Sequence, residues 1–395
     1  MSATNNPSCV DLMKNPAAKP QDKTEQWSVF NQHWEDQVRG KGIKVHEEHC
    51  SAKLRACMVG DPFSVDIPIL TPEMKGLIRD NASEELYNNW KENGGRAMRD
   101  ADPERFEKIC EEIAHRDEQY EKAGITIIKN KLGWYPEEAI NYNGAWNGPS
   151  LMSIYAASKF RGANNGIIVA ESCGPVKGCE ASSRAATIAL IEEDPEAALI
   201  SFLSHEPNPT ISGPGFGGLD LADWRLMPNK TILWGYGVGD KSQIAAAKAT
   251  GEHTAAGWPR GRDIFMRLLS QLGYKQETWW FDSNLGYHED CVMMNMVEGV
   301  IGLPDDGKNG AWSDLPDFMK DYEILPLPVE DVRRGASNST AIGDGRIFMD
   351  STCTKTMKML ESKGYEPIPV NYQTCWSTFN SGIDCSDSNI WREDD

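Results

Sequence analysis

Three short polar clusters in the sequence carry residue types suited to covalent chemistry. The first, Asp220-Leu221-Ala222-Asp223-Trp224, follows a glycine-rich run from Gly213 to Gly218. The second, His288-Glu289-Asp290, precedes the apolar stretch Val292 to Val297, and the third runs from Asn380 to Ser386 near the C-terminal end. A cysteine nucleophile needs a base or cation within hydrogen-bond reach, and a carboxylate usually orients that base. On this logic Cys385 is the nucleophile, His288 the acid/base and Asp220 the orienting carboxylate, while Asp290 faces a cationic substrate. Taken singly, each residue has an ordinary reading. A lone Cys is more often an inert buried thiol, Asp220 and Asp223 suit turns that bond their own backbone, and His288 is one of seven histidines. Spacing alone does not join segments so far apart.

Two other features are set aside as chemistry. The glycine-rich run lacks the GK[ST] ending and the GxGxxG spacing of a phosphate loop, so it reads as a rim or a close approach of backbone to ligand. Trp279-Trp280 reads as core rather than as a substrate platform.

These clusters need elements to position them. The chain has 395 residues, 40% hydrophobic and 25% charged, which is ordinary globular composition. Residues 1–25 read as a polar arm and 26–395 as a single catalytic domain. A hairpin–helix–strand pattern then recurs. Hairpins turn at Asn164-Asn165-Gly166, Pro228-Asn229-Lys230, Glu298-Gly299 and Asp344-Gly345, where Gly, Asn and Asp accept positive φ. Helices are expected near 180–193, 261–272, 314–320 and 352–363, and helical composition fills 71–122, with Asp102-Pro103-Glu104 as a start signal. Returning strands follow near 123–128, 273–274, 321–328 and 364–370. Strand 54–59 and the C-terminal segment supply a fifth unit. The expected fold is therefore α/β: a ring of five pseudo-repeated ββαβ units whose strand ends converge on a central pore. The competing arrangement is an open α/β sheet with unrelated hairpins.

The formal net charge is −19. It disfavours a nucleic-acid partner and favours small cations, although solubility alone explains such a surface. It also means that a catalytic thiolate needs a local cation. The ten cysteines lie in no paired CxxC, so no metal and no cofactor is expected, and the thiols read as mostly reduced and buried. No stretch is long and apolar enough to span a membrane, and the first 25 residues hold no signal-peptide core, so the expected compartment is the cytoplasm. Assembly as a homodimer stays open.

In order and spacing the clusters resemble those of the guanidino-modifying enzymes of the five-bladed α/β-propeller (pentein) fold, in particular the glycine amidinotransferase-like branch. The similarity spans about residues 50–393. Met58-Val59-Gly60-Asp61 through Pro68 is similar to the family's first strand and substrate-facing loop. Asp220-Leu221-Ala222-Asp223 is similar to its acidic motif, His288-Glu289-Asp290 to its His-x-Asp, Asn338 to its strand Asn, and Gly382 to Cys385 to its terminal Gly-x-x-Cys. The resemblance implies attack of Cys385 on a guanidinium carbon, with His288 protonating the departing amine. A covalent amidino-cysteine then passes to an amine acceptor (transferase) or to water (deiminase or dihydrolase). It assigns Asp220 as the partner of His288, and Asp290, Asp223, Asn338, Ser158 and Lys308 to substrate binding. The implied partners are a small guanidine donor and an amine acceptor.

Three departures stand out. Where the family usually carries an Arg-Asp pair, this chain has Ala157-Ser158-Lys159-Phe160-Arg161, without an acid. Lys308 falls near the position of an Arg that anchors a substrate carboxylate. Asp384, not His, precedes the cysteine. The missing acid also leaves open a third reading, a catalytically silent propeller that binds a ligand.

Overall fold

A computed structural model describes residues 37–60, 67, 84–94, 96–130, 160–170, 189–202, 221–250, 259–286, 288–379 and 381–394. Sixteen strands among these residues form five small sheets. Four sheets repeat one plan, an antiparallel hairpin followed by a third strand parallel to the hairpin's second. They are β4 (Phe160–Ala163), β5 (Gly166–Ala170) and β6 (Ala198–Phe202); β7 (Trp224–Met227), β8 (Thr231–Val238) and β9 (Lys275–Asp282); β10 (Met294–Val297), β11 (Val300–Pro304) and β12 (Glu323–Leu327); and β13 (Thr340–Gly343), β14 (Arg346–Asp350) and β15 (Glu366–Val370).

The fifth sheet applies the same plan to the two ends of the chain. Strand β16 (Asp387–Arg392) pairs antiparallel with β2 (Leu54–Gly60), and β3 (Thr126–Asn130) lies parallel to β2. The two-residue strand β1 (His46–Glu47) adds to the far side of β16. The sequence gives no alternation over so short a piece, and β1 was not expected.

Turn chemistry sets the hairpins. Asn165 has φ 55°, Asn229 60°, Lys230 52°, Gly299 77°, Asp344 56° and Gly345 73°, the left-handed values that tight hairpins demand. Between β2 and β3 lie α1 (Glu84–Asn93), α2 (Met98–Ala101) and α3 (Pro103–Lys122). Asp102 caps α3 by accepting the Arg105 N–H at 3.2 Å, and Pro103 fills the first turn. Further along are α4 (Gln243–Thr250), α5 (Pro259–Gln271), α6 (Val329–Val332), α7 (Thr354–Ser362), α8 (Gln373–Phe379) and α9 (Ile383–Ser386). The helix expected at 314–320 is only a 3₁₀ turn, Asp317–Met319. Pro316 lacks an N–H and disfavours helical backbone at Leu315, so one turn is all that fits. Of the stretch expected at 180–193, only 189 onward lies in the described region, and 189–193 is helical.

Side-chain alternation explains how the sheets close into a ring. Residues i and i+2 of a strand share a face. Along β2, Cys57 and Val59 join a cluster with Phe348 and Val370, while Ala56 and Met58 join Ile167 and Leu190. Trp280 packs with Trp224 and Trp234, whereas adjacent Trp279 packs with Val292 and Ile301. A fifth cluster joins Met294 and Leu327 to Ile347 and Met349. Each of the five apolar clusters thus bridges two successive sheets, and the last sheet meets the first. That is a closed five-bladed propeller.

Candidate active site

The lead-in to the first strand of a blade is where the polar motifs stand. Asp223 immediately precedes β7, His288 to Cys291 precede β10, Asn338 precedes β13 and Cys385 precedes β16. Closing the ring gathers the last three. Asp290 and Asn338 come into direct contact with the Cys385 sulfur, and His288 stands near enough to favour its thiolate. Asp220 and Ser158 lie outside the described residues.

Asn338 clamps Cys385 at two points. Its Oδ1 accepts the Cys385 backbone N–H at 3.0 Å, and its Nδ2 donates to Cys385 Sγ, also at 3.0 Å. The clamp requires close approach of the chain at Gly382. A Cβ there would lie 2.8 Å from Asn338 Oδ1 and 3.0 Å from its backbone oxygen, so the first residue of the Gly-x-x-Cys segment must lack a side chain. Asp384 is held by Arg225 of β7, whose Nη2 donates to Oδ2 at 2.6 Å, with Arg161 Nη2 at 4.0 Å. The acid that replaces the usual His therefore has its own buried cation.

Asp290 sits at the Cys385 sulfur. Its Oδ2 accepts the Cys385 S–H at 3.1 Å, and its Oδ1 accepts the Cys291 S–H at 3.3 Å. Asp290 is fully buried, and Cys385 is only 4% exposed. Burial pushes the Cys385 thiol up, and the Asp290 charge adds to this. The neighbouring Cys291 thiol and His288 outweigh both, leaving Cys385 below the ordinary thiol value. Cys291 moves the opposite way: its interaction with Cys385 and burial raise it well above its ordinary value.

The remaining expected residues hold other positions. Asp223 is fully buried and accepts the Glu289 N–H at 3.0 Å, so it ties the β7 lead-in to the His288–Cys291 turn. Lys308 binds Asp282 Oδ2 at 2.6 Å and lies over the Trp312 ring, 3.3 Å from its centroid; its contacts are there rather than with Cys385. Glu289 and Cys291 were not singled out from the sequence, although both belong to or adjoin the His288 motif. Burial raises the Glu289 carboxyl well above its ordinary range despite Arg225, with Asp223 and Asp290 adding to the rise. The rise favours the neutral form of Glu289 in a pocket that already holds two aspartates. For a soft cation, Asp290, Cys291 and Cys385 have the spacing of ligands, with donor atoms within 4.8 Å of one another; no other such group occurs among the described residues.

A buried sulfur flanked by an imidazole, a carboxylate and an amide clamp can attack an electrophilic carbon held by that carboxylate. No protein-family model matches the chain, and no curated sequence matches it. Solved structures do. The chain has the pentein fold, the five-bladed α/β propeller on which both amidinotransferases and guanidine hydrolases are built. One match is SxtG, an amidinotransferase from the Microseira wollei saxitoxin biosynthetic pathway: TM-score 0.65 and 14% identity over 90% of this chain and 98% of that one. Another is the inosamine-phosphate amidinotransferase StrB1 from Streptomyces griseus: TM-score 0.63 and 14% identity, covering 89% and 97%. The Pseudomonas aeruginosa dimethylarginine dimethylaminohydrolase matches at TM-score 0.52 and 11% identity, covering 85% and 99%. At such identities the likeness establishes the fold.

Proposed function

We propose that the protein is an amidinotransferase that moves an amidino group from an arginine-like guanidine to an amine through an amidino-Cys385 intermediate. One observation carries this reading: Asp290 Oδ2 lies 3.1 Å from Cys385 Sγ, so a guanidinium paired with Asp290 presents its carbon to the sulfur. Pairing also neutralises the carboxylate that opposes the thiolate, so the substrate supplies the local cation that nucleophilic attack needs. Attack gives a tetrahedral adduct. His288 protonates the departing amine, and C–N cleavage leaves the planar amidino thioether; the acceptor amine then attacks the amidino carbon as His288 takes its proton, and C–S cleavage releases the new guanidine and returns the Cys385 thiolate. Asp220 is assigned the orientation of His288. Asp223 and Asn338 act by holding the two turns in place, and Ser158 stands in sequence where a substrate-binding acid would stand. Lys308, paired with Asp282, reaches a substrate carboxylate only by leaving that partner.

The same covalent step serves a hydrolase, and the fold is shared with one. Arginine incubated with and without glycine separates the two. Ornithine and a new guanidine formed only with the amine support transfer, whereas citrulline or ammonia from arginine alone supports hydrolysis and overturns it.

A further inference from the structure

Amidino transfer needs one sulfur, yet a second lies against it. Cys291 is fully buried at the end of the Glu289–Cys291 turn, and the Asn338 Nδ2 that donates to Cys385 Sγ at 3.0 Å also donates to Cys291 Sγ at 3.5 Å. The two sulfurs lie within 4.8 Å of each other. Behind Cys291, a Cβ on Gly286 would come within 2.4 Å of the Cys291 Cβ, so the backbone there backs the thiol closely. Other buried thiols are placed differently: the Cys50 sulfur faces Met227 Sδ at 3.7 Å, and that of Cys353 faces the carbonyls of Asp331 and Arg334.

We propose that Cys291 and Cys385 are a redox pair that closes to a disulfide and so switches the nucleophile off reversibly. The inactivation, though not the bond, rests on Cys385 being the nucleophile of the proposed reaction. The oxidant class is a hydroperoxide. The Cys385 thiolate attacks the terminal peroxide oxygen, the O–O bond breaks, and an alcohol (water, for hydrogen peroxide) leaves with a proton, giving a sulfenic acid. The Cys291 sulfur attacks the sulfenyl sulfur, the S–O bond breaks, and hydroxide leaves with the Cys291 proton as water. Two thiols and one hydroperoxide thus become one disulfide, one alcohol and one water. A dithiol reverses the step by exchange through a mixed disulfide. The arrangement divides the labour as in other dithiol pairs: the sulfur that more readily forms a thiolate attacks, and its neighbour resolves. In the reduced state the Cys291 S–H is donated to Asp290 Oδ1.

The test is a peptide-mass map of the full chain after hydrogen peroxide treatment, with free thiols trapped by N-ethylmaleimide under denaturing conditions. The expected result is a Cys291–Cys385 linked peptide lighter by two hydrogens, with activity lost in proportion to the linked fraction and regained with dithiothreitol. In Cys291→Ala, Cys385 should pass instead to the sulfinic acid, which dithiothreitol does not reverse. Wild-type protein with sulfinic Cys385 beside alkylated Cys291, or with Cys385 linked to another cysteine, overturns the pairing. The bond is scored without substrate. A chain that forms it but turns over no guanidine overturns the proposed function and leaves the pair standing.

Discussion

At the residue scale, the sulfur environment sets the chemistry. Burial and Asp290 oppose the Cys385 thiolate, while Cys291 and His288 favour it. Removing His288 deletes both a thiolate partner and the proposed acid/base. His288→Ala should lower kcat/KM by about 10²–10⁴-fold, and Cys385 should then lose its lead over the other thiols in iodoacetamide alkylation. Unchanged selectivity would mean that the imidazole does not act on this sulfur. Asp290→Asn removes a charge-assisted contact worth about 1.5–3 kcal/mol to a guanidinium. Steady-state kinetics should show a higher KM for the donor, with a neutral amidine analogue far less affected. Cys385, His288, Asp290 and Asn338 were legible in the sequence as short motifs in a fixed order. Arg225 was not, because its partner Asp384 lies 159 residues away and no local pattern marks the pair.

At the element scale, lead-in turns rather than strands carry the site, and long-range polar ties aim them. Arg225→Met strips Asp384 of its closest cation and leaves only Arg161 at 4.0 Å, so the loss has a ceiling of about 3–5 kcal/mol, the cost of an unpaired buried charge. Urea unfolding should show a loss within that ceiling. Restoring neutrality with Arg225→Met/Asp384→Asn should recover much of it, which a simple packing defect would not allow. Gly382→Ala should act differently. The added Cβ meets Asn338 Oδ1 and backbone oxygen, so the Cys385 turn must shift while the blades stay paired. Activity should fall much more than the melting temperature. The hairpins were legible because their turns need residues that accept positive φ, and Asn229, Asp344 and Gly345 announce this. Strand β1 was not, because His46–Glu47 is ordered by its partner β16 and not by its own pattern.

At the scale of the whole molecule, the ring is closed by the antiparallel pairing of β2 with β16, which places Cys385 just before the closing strand. The strands that start the blades also carry buried polar residues, including Arg161, Arg225, Asn295 and Asn389. Glu47 joins them: its Oε1 accepts from Asn389 at 3.0 Å, and burial raises its carboxyl from 4.5 to about 7 despite Arg392 and Arg161. Asp387, bonded by Tyr120 and by Thr340, is raised by burial to about 6. Both are higher in the folded than in the unfolded chain. Their contribution to stability is therefore complete below the unfolded values and is lost as pH rises through about 6 to 7. Glu47→Gln, which keeps an acceptor for Asn389, should flatten the fall in stability between about pH 4.5 and 7. At about 1.4 kcal/mol per pKa unit, the ceiling is about 3 kcal/mol. Melting curves across that range check it. Among the described residues, no helix is long and apolar enough to cross a membrane.

Amidino transfer to the buried sulfur can be tested without knowing the natural donor. S-methylisothiourea is an amidine with a methanethiolate leaving group, and a sulfur that attacks its carbon keeps the amidino group and releases methanethiol. After brief exposure and acid quench, peptide mapping should find the amidino mass on Cys385 ahead of every other cysteine, and greatly slowed in His288→Ala. An unmodified Cys385 beside labelled thiols elsewhere in the chain would contradict the mechanism.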